Sequence, residues 1–259
     1  MPVLESVLRR ERMVVAGGLA AITVLAWVYL VGMALCMGGL AGVESALVKA
    51  RGEAWSGLDA LLMFVMWWVM MVGMMIPAAA PMILLFAAIN RKERERGRAY
   101  VPTGLFALAY TFVWAGFSLA AVLAQWGLQA AGLLSPAMAS TSAWLGGLVL
   151  IAAGLYQWTP IKDVCLKHCQ TPFGFIMSHW RPGRAGALRM GLHHGAYCVG
   201  CCWVLMALLF VGGVMNLLWI AGLAIFVLLE KVGPRGKWVP RATGATLVAW
   251  GVWVLTAGI

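Results

Sequence analysis

The stretch Met190-Gly-Leu-His193-His194-Gly-Ala-Tyr-Cys198-Val-Gly-Cys201-Cys202-Trp-Val-Leu-Met-Ala-Leu-Leu-Phe-Val-Gly212-Gly213-Val-Met-Asn216-Leu-Leu-Trp-Ile-Ala-Gly-Leu-Ala-Ile-Phe-Val-Leu-Leu229 runs for 40 residues without a charge. As one helix it would reach about 60 Å, twice what a bilayer core accommodates. Gly212-Gly213 is where the backbone folds back most cheaply, so the stretch predicts two helices in a hairpin. Outside it the chain is equally apolar. Of 259 residues 63% are hydrophobic and 11% charged, and the mean hydropathy is +0.90. A soluble domain carries about 25% charged residues, so these values exclude a soluble fold, a disordered chain and a small disulfide-stapled module.

Uninterrupted apolar runs predict seven spans: 13–40, 58–89, 103–131, 138–159, 187–211, 213–229 and 243–258. Basic residues test that division. Arg9, Arg10 and Arg12 precede the first span, and Arg91, Lys92, Arg94, Arg96 and Arg98 follow the second. Lys162, Lys167, Arg181, Arg184 and Arg189 follow the fourth, and Lys231, Arg235, Lys237 and Arg241 follow the sixth. That places 17 on one side, against Lys49 and Arg51, 2 in all, on the other. The bias alternates at every crossing, which predicts a single membrane domain over 1–259, an all-α polytopic bundle with a cytoplasmic N-terminus and the C-terminus outside. Topology thus accounts for the net charge of +10, and nucleic acid is not an expected partner. Span one is too long for a signal-peptide core and is expected to remain as an anchor.

Five of the six cysteines fall within 38 residues, beside all four histidines. Cys165-Leu-Lys-His168-Cys169 is expected on the cytoplasmic loop after span four. There two thiols and an imidazole either chelate a soft metal or stay as reduced cytosolic side chains. At the start of span five, His194, Cys198, Cys201 and Cys202 share roughly a 100° arc of one helix. His193 points about a quarter turn away. Ionisable residues within a membrane are costly and mark a site, and thiolate with imidazole selects copper first and zinc second. Cys36, alone in span one, is expected to pack as a small residue.

Span two contributes sulfur of another kind. Met63, Met66, Met70 and Met74 occupy roughly an 80° arc, and Met71 with Met75 forms a second i, i+4 pair. Methionine stripes usually fill gaps between helices. Here the depth of Met75–Pro81 matches that of Cys198–Cys202, so Met70 and Met74 are candidate thioether ligands facing the thiols. Pro77 and Pro81 are expected to kink this helix beside a cavity. Glu230-Lys231 is expected as a solvated pair at the cytoplasmic end of span six.

These pieces resemble the bacterial DUF2182 family, described as predicted metal-binding integral membrane proteins. The resemblance rests on Trp68-Val-Met-Met-Val-Gly-Met-Met-Ile-Pro77-Ala-Ala-Ala-Pro81, Lys162-Asp-Val-Cys165-Leu-Lys-His168-Cys169-Gln-Thr-Pro172, Gly191-Leu-His-His-Gly-Ala-Tyr-Cys-Val-Gly-Cys-Cys-Trp203, Gly213-Val-Met-Asn216 and Glu230-Lys231. It implies the bacterial inner membrane and a metal site at the His/Cys positions, without a substrate or reaction. The expected function is soft-metal handling, copper above all, by a transporter, chaperone or insertion factor. Its partners would be the bilayer and a membrane protein or a second copy of the chain. A membrane redox enzyme and a non-catalytic subunit with a structural metal are the alternatives.

Overall fold

A computed structural model describes residues 2–37, 55–97, 101–135, 138–233 and 238–258, with the backbone alone given for 2–11 and 37. Lys49, Arg51, Arg98, Arg235 and Lys237, on which part of the predicted charge alternation rests, lie outside them. Every regular element among the described residues is helical, apart from one isolated bridge between Leu134 and Ser140. In chain order they are α1 (Pro2–Met37), α2 (Gly57–Glu95), α3 (Thr103–Ala130), α4 (Ala143–Tyr156), α5 (Pro160–Gln170), α6 (Pro172–His179), α7 (Gly183–Ala207), the short α8 (Leu209–Gly212), α9 (Leu217–Val232) and α10 (Trp238–Ala257).

Four helical stretches are long and apolar enough to cross a membrane: Arg12–Cys36, Gly57–Glu95, Thr103–Ala130 and Gly183–Gly212. A fifth candidate is the pair α4 and α5, bent by 66° at its junction. Large apolar side chains such as Val24, Leu25 and Val28 on α1, and Phe112 and Leu123 on α3, face outward. Such exposure suits lipid rather than water. Cys36 is exposed on α1 instead of packing inside the bundle.

Helix α3 packs against both α2 and α7. The buried side of α2 carries Trp67, Met71, Met75, Met82 and Phe86, and the helix runs on through Pro77 and Pro81. Buried Gln125 on α3 accepts from Trp67 Nε1 at 2.7 Å and donates to Met138 Sδ at 3.3 Å. A polar side chain that would otherwise be orphaned is thereby satisfied. The predicted hairpin is present: α8 ends at Gly212, Gly213 takes φ +93°, and Asn216 caps α9 by accepting from Trp219 N.

Two boundaries differ from the sequence reading. The fourth predicted span begins at residue 138, yet α4 starts only at Ala143. Met138 adopts φ +57°, Ser140 N bonds to Phe210 O at 2.7 Å, and Ser142 caps the helix. The apolar run continues through a folded connection whose backbone groups find partners elsewhere. At 14 residues, α4 is about 21 Å long, short of a bilayer core. It packs against α10, where an added Cβ on Gly154 would lie 2.7 Å from Gly244 O, and one on Gly251 would lie 2.7 Å from Gly147 O. Small residues at both ends of this contact let two backbones touch. The second difference concerns residues 160–179, expected as loop, which fold into α5 and α6. Thr159 caps α5 and Pro160 occupies its first turn, a combination that starts helices.

Candidate functional site

The helical fold of α5 decides which of its ligand candidates meet the bundle. One turn separates Cys165 from Cys169, so both face α7, whereas His168 is half-buried beside them. Cys169 Sγ lies 4.0 Å from Cys201 Sγ, and both residues are buried. Cys165 rests against Gly200, where an added Cβ would sit 2.8 Å from its sulfur. Tyr156 of α4 also donates to Gly200 O. The absent side chain at 200 is therefore what lets α5 approach α7. His168 stacks flat on Tyr197, with ring centroids 4.1 Å apart and planes 3° from parallel. The two predicted cysteine groups do meet in space, through Cys169 and Cys201, and His168 does not join them.

On α7 the thiols are arranged around one peptide unit. Cys201 and Cys202 donate to the carbonyl oxygen of Cys198 at 3.1 and 3.0 Å. The sulfur of Cys198 itself accepts from Lys231 Nζ at 2.8 Å and lies 3.0 Å from Tyr110 OH. Tyr110 OH also reaches Met75 O at 3.2 Å, and Lys231 Nζ stands 4.0 Å from Met75 Sδ. Met75 thus brings α2 to the cluster, as the matched depths predict. It comes from the second methionine pair. At 100° per residue Met74 lies about 100° and Met70 about 140° around α2 from Met75, and both are buried in the helix core without a described hydrogen bond to a thiol.

His194 occupies the same buried side of α7, one turn before Cys198. Its ring is boxed by Tyr110, Phe106 and Phe175 at centroid distances of 5.5, 6.0 and 5.5 Å. Its Nδ1 is buried without a hydrogen-bond partner. Among the described residues no group of three or more His, Cys, Asp or Glu side chains is arranged to hold one metal ion. Thiols from two helices meet in the Cys169–Cys201 pair.

Glu230 and Lys231 are not the solvated pair expected from the sequence. Both are buried, and the tip of α9 points into the bundle. Glu230 takes Lys162 of α5 in a two-oxygen ion pair at 2.9 and 2.8 Å. The sequence groups Lys162 with the loop charges, yet it is 1% exposed. Gln170 Nε2 donates to Glu230 O at 2.7 Å, so α5 is tied to α9 at both of its ends. Neighbouring residues of α9 therefore serve different helices, Glu230 fixing α5 and Lys231 meeting Cys198 on α7. The signal available in the sequence was the isolation of this Glu-Lys pair at the end of an otherwise apolar helix. Tyr110, inside an apolar run, gave a weaker one.

Fold and site together define a strongly apolar, all-helical bundle enclosing thiols from two helices. Over residues 64–254 the chain matches the PpoB2 family, described as a copper chaperone, and it belongs to that family. No curated protein and no solved structure matches it. The matched region contains every thiol of the cluster, together with Lys162, Glu230 and Lys231. Membership bears out the copper-related character expected from the sequence; it does not carry the DUF2182 name, and it lends nothing to zinc.

Proposed function

We propose that this chain is a multi-pass membrane copper chaperone that carries Cu(I) as cargo on a buried thiol pair, Cys169 and Cys201. The observation that carries this reading is their sulfur separation of 4.0 Å. A disulfide holds its sulfurs about 2.05 Å apart. With metal–thiolate bonds of about 2.3 Å, two sulfurs sharing one ion stand roughly 3.8 Å apart at a tetrahedral angle and up to about 4.6 Å apart when the ion lies in line between them. The pair is already spaced for a bridging ion, and soft thiolate suits Cu(I).

Cys198 and Cys202, held around the same peptide unit, are the next thiols in line for exchange. Cys165, half-buried against Gly200, and His168, half-buried on Tyr197, are the place of first capture. His194, with its free Nδ1, and Met70 and Met74 in the core complete the candidate donors. Exchange between donors of similar softness moves the ion without an energy-coupling domain. In this reading the protein sits in a bacterial inner membrane as one domain of seven spans, N-terminus in and C-terminus out, with α4 and α5 as a broken span. It hands copper to a membrane protein partner or works as a homo-oligomer.

The test is elemental analysis of protein purified anaerobically, beside a Cys169→Ser/Cys201→Ser variant. The expected result is near-stoichiometric copper in the parent and its loss in the variant. Equal copper in both, or none in the parent, would overturn the reading. The same sulfur separation favours a second reading, thiol redox chemistry between α5 and α7. Metal-free parent protein that forms a reversible Cys169–Cys201 disulfide would support it.

A further inference from the structure

Three of the four histidines gather at one corner of the bundle, outside the buried thiols, and each comes from a different helix. His168 of α5 and His179 of α6 are half-buried, and His193 of α7 is exposed. His168 lies parallel to Tyr197 at 4.1 Å, and His179 stands 6.3 Å from the first ring and 6.4 Å from the second. A ring equally far from both members of a stack lies beside it, so His179 meets the edge of His168 and not its face. One face of His179 is in turn covered by Phe175, 4.7 Å away and 15° from parallel. The Nδ1 of each imidazole is engaged by its own helix. His168 Nδ1 donates to Val164 O at 2.8 Å; His179 Nδ1 donates to Phe175 O at 3.1 Å and lies 2.8 Å from Ser178 Oγ. Such contacts fix the ring and leave Nε2 for a ligand, the arrangement that metal-binding histidines use.

A ligating nitrogen sits about 1.15 Å from the centre of its imidazole and about 2.05 Å from the metal. Two rings sharing one ion therefore have centres about 5.2 Å apart at a tetrahedral angle and about 6.4 Å apart when the ion lies in line. The separation of His168 and His179, 6.3 Å, falls at the in-line end. Resting on the copper reading above, in which His168 belongs to the place of first capture, we infer that His179 is its second ligand. The two imidazoles form a linear, two-coordinate site for Cu(I), an ion that imidazole suits. Among the described residues no group of three or more donors is arranged for one ion. Cu(I) accepts two donors in line, whereas Zn(II) takes four. His193 is 5.8 Å from His179, but Arg181 and Arg189 act on it electrostatically and oppose a cation there. His168 directly precedes Cys169 in the chain, so an ion on the histidines stands next to the buried thiol pair.

The experiment loads the full chain in detergent, reduced and anaerobic, with one and then two equivalents of Cu(I), and reads the ligand atoms by X-ray absorption. The first equivalent should show sulfur neighbours, and the second should add nitrogen neighbours with the scattering of imidazole rings. His179→Phe keeps a ring to stack on Phe175; it should retain the sulfur signal and lose the nitrogen signal, while His193→Phe should retain both. In the parent protein, Ag(I) should also suppress ethoxycarbonylation of His168 and His179 by diethyl pyrocarbonate and leave His193 reactive, a readout that needs no variant. Sulfur neighbours alone at two equivalents would overturn the inference and leave the thiol reading standing. So would a nitrogen signal that survives His179→Phe, or silver that protects neither ring. Nitrogen without sulfur would defeat the thiol pair instead and keep the histidine site. Protein that binds no copper would overturn both.

Discussion

Cys198 offers its carbonyl to two thiols and its sulfur to an ammonium and a phenol. Its neighbours Cys201 and Cys202 are therefore held in fixed rotamers around it, and Cys201 is presented to Cys169. Serine at 198 would keep the carbonyl and alter only the sulfur's contacts. Cys198→Ser should therefore weaken copper retention less than Cys201→Ser does, as read by competition with a Cu(I) chelator. Equal losses would place Cys198 in the primary pair. Met70→Leu conserves apolar volume and should leave copper stoichiometry unchanged, because the thioether that meets Lys231 beside Cys198 belongs to Met75. Much of this was legible from single residues: the concentration of cysteines, the arc on α7 and the shared depth of Met75 with Cys198. Lys231 was not, because a charge written next to Glu230 at a helix end reads as solvated. Only the fold shows that Glu230 has another partner.

Among the elements, α5 has the least intrinsic claim to its position. It is short and polar on one side, and it is fixed by the ion pair Lys162–Glu230, by Gln170 on Glu230 O and by the gap at Gly200. Breaking one partner of a buried ion pair costs about 3–5 kcal/mol, whereas replacing both by apolar residues is often neutral. Glu230→Gln should lower the thermal midpoint and reduce the yield of Cys169–Cys201 crosslink formed under mild oxidation. Lys162→Met/Glu230→Met should recover most of the stability. If Glu230→Gln crosslinks as efficiently as the parent, the pair does not position α5. Gly200→Ala places a methyl against Cys165 and should cost about 1–3 kcal/mol, with a matching fall in crosslinking. The sequence did contain the start of α5, in Thr159-Pro160, but its charged residues suggested a solvated loop. Burial of Lys162 depends on α9, 68 residues later in the chain, and no local pattern reports a pairing at that distance.

The whole molecule tests the charge alternation. Reporter fusions after Gly97 and after Ala257 should score on opposite sides of the membrane, the first cytoplasmic and the second outside. Both reporters on one side would require an even number of crossings between α2 and α10 and would overturn the seven-span reading. The long apolar helices were legible because hydropathy sums over many residues and needs no partner. The length of α4 was not, since its apolar run continues into a connection that ends on Phe210 O.

The glycine contact between α4 and α10 has a temporal side. Gly154 meets Gly244, 90 residues downstream, so during synthesis α4 waits, too short to span and without its mate, until the last described helix has emerged. Helix α5 follows directly from α4 and bears Cys165 and Cys169. Half of the thiol pair thus stays without its α9 anchor, Glu230, through most of translation.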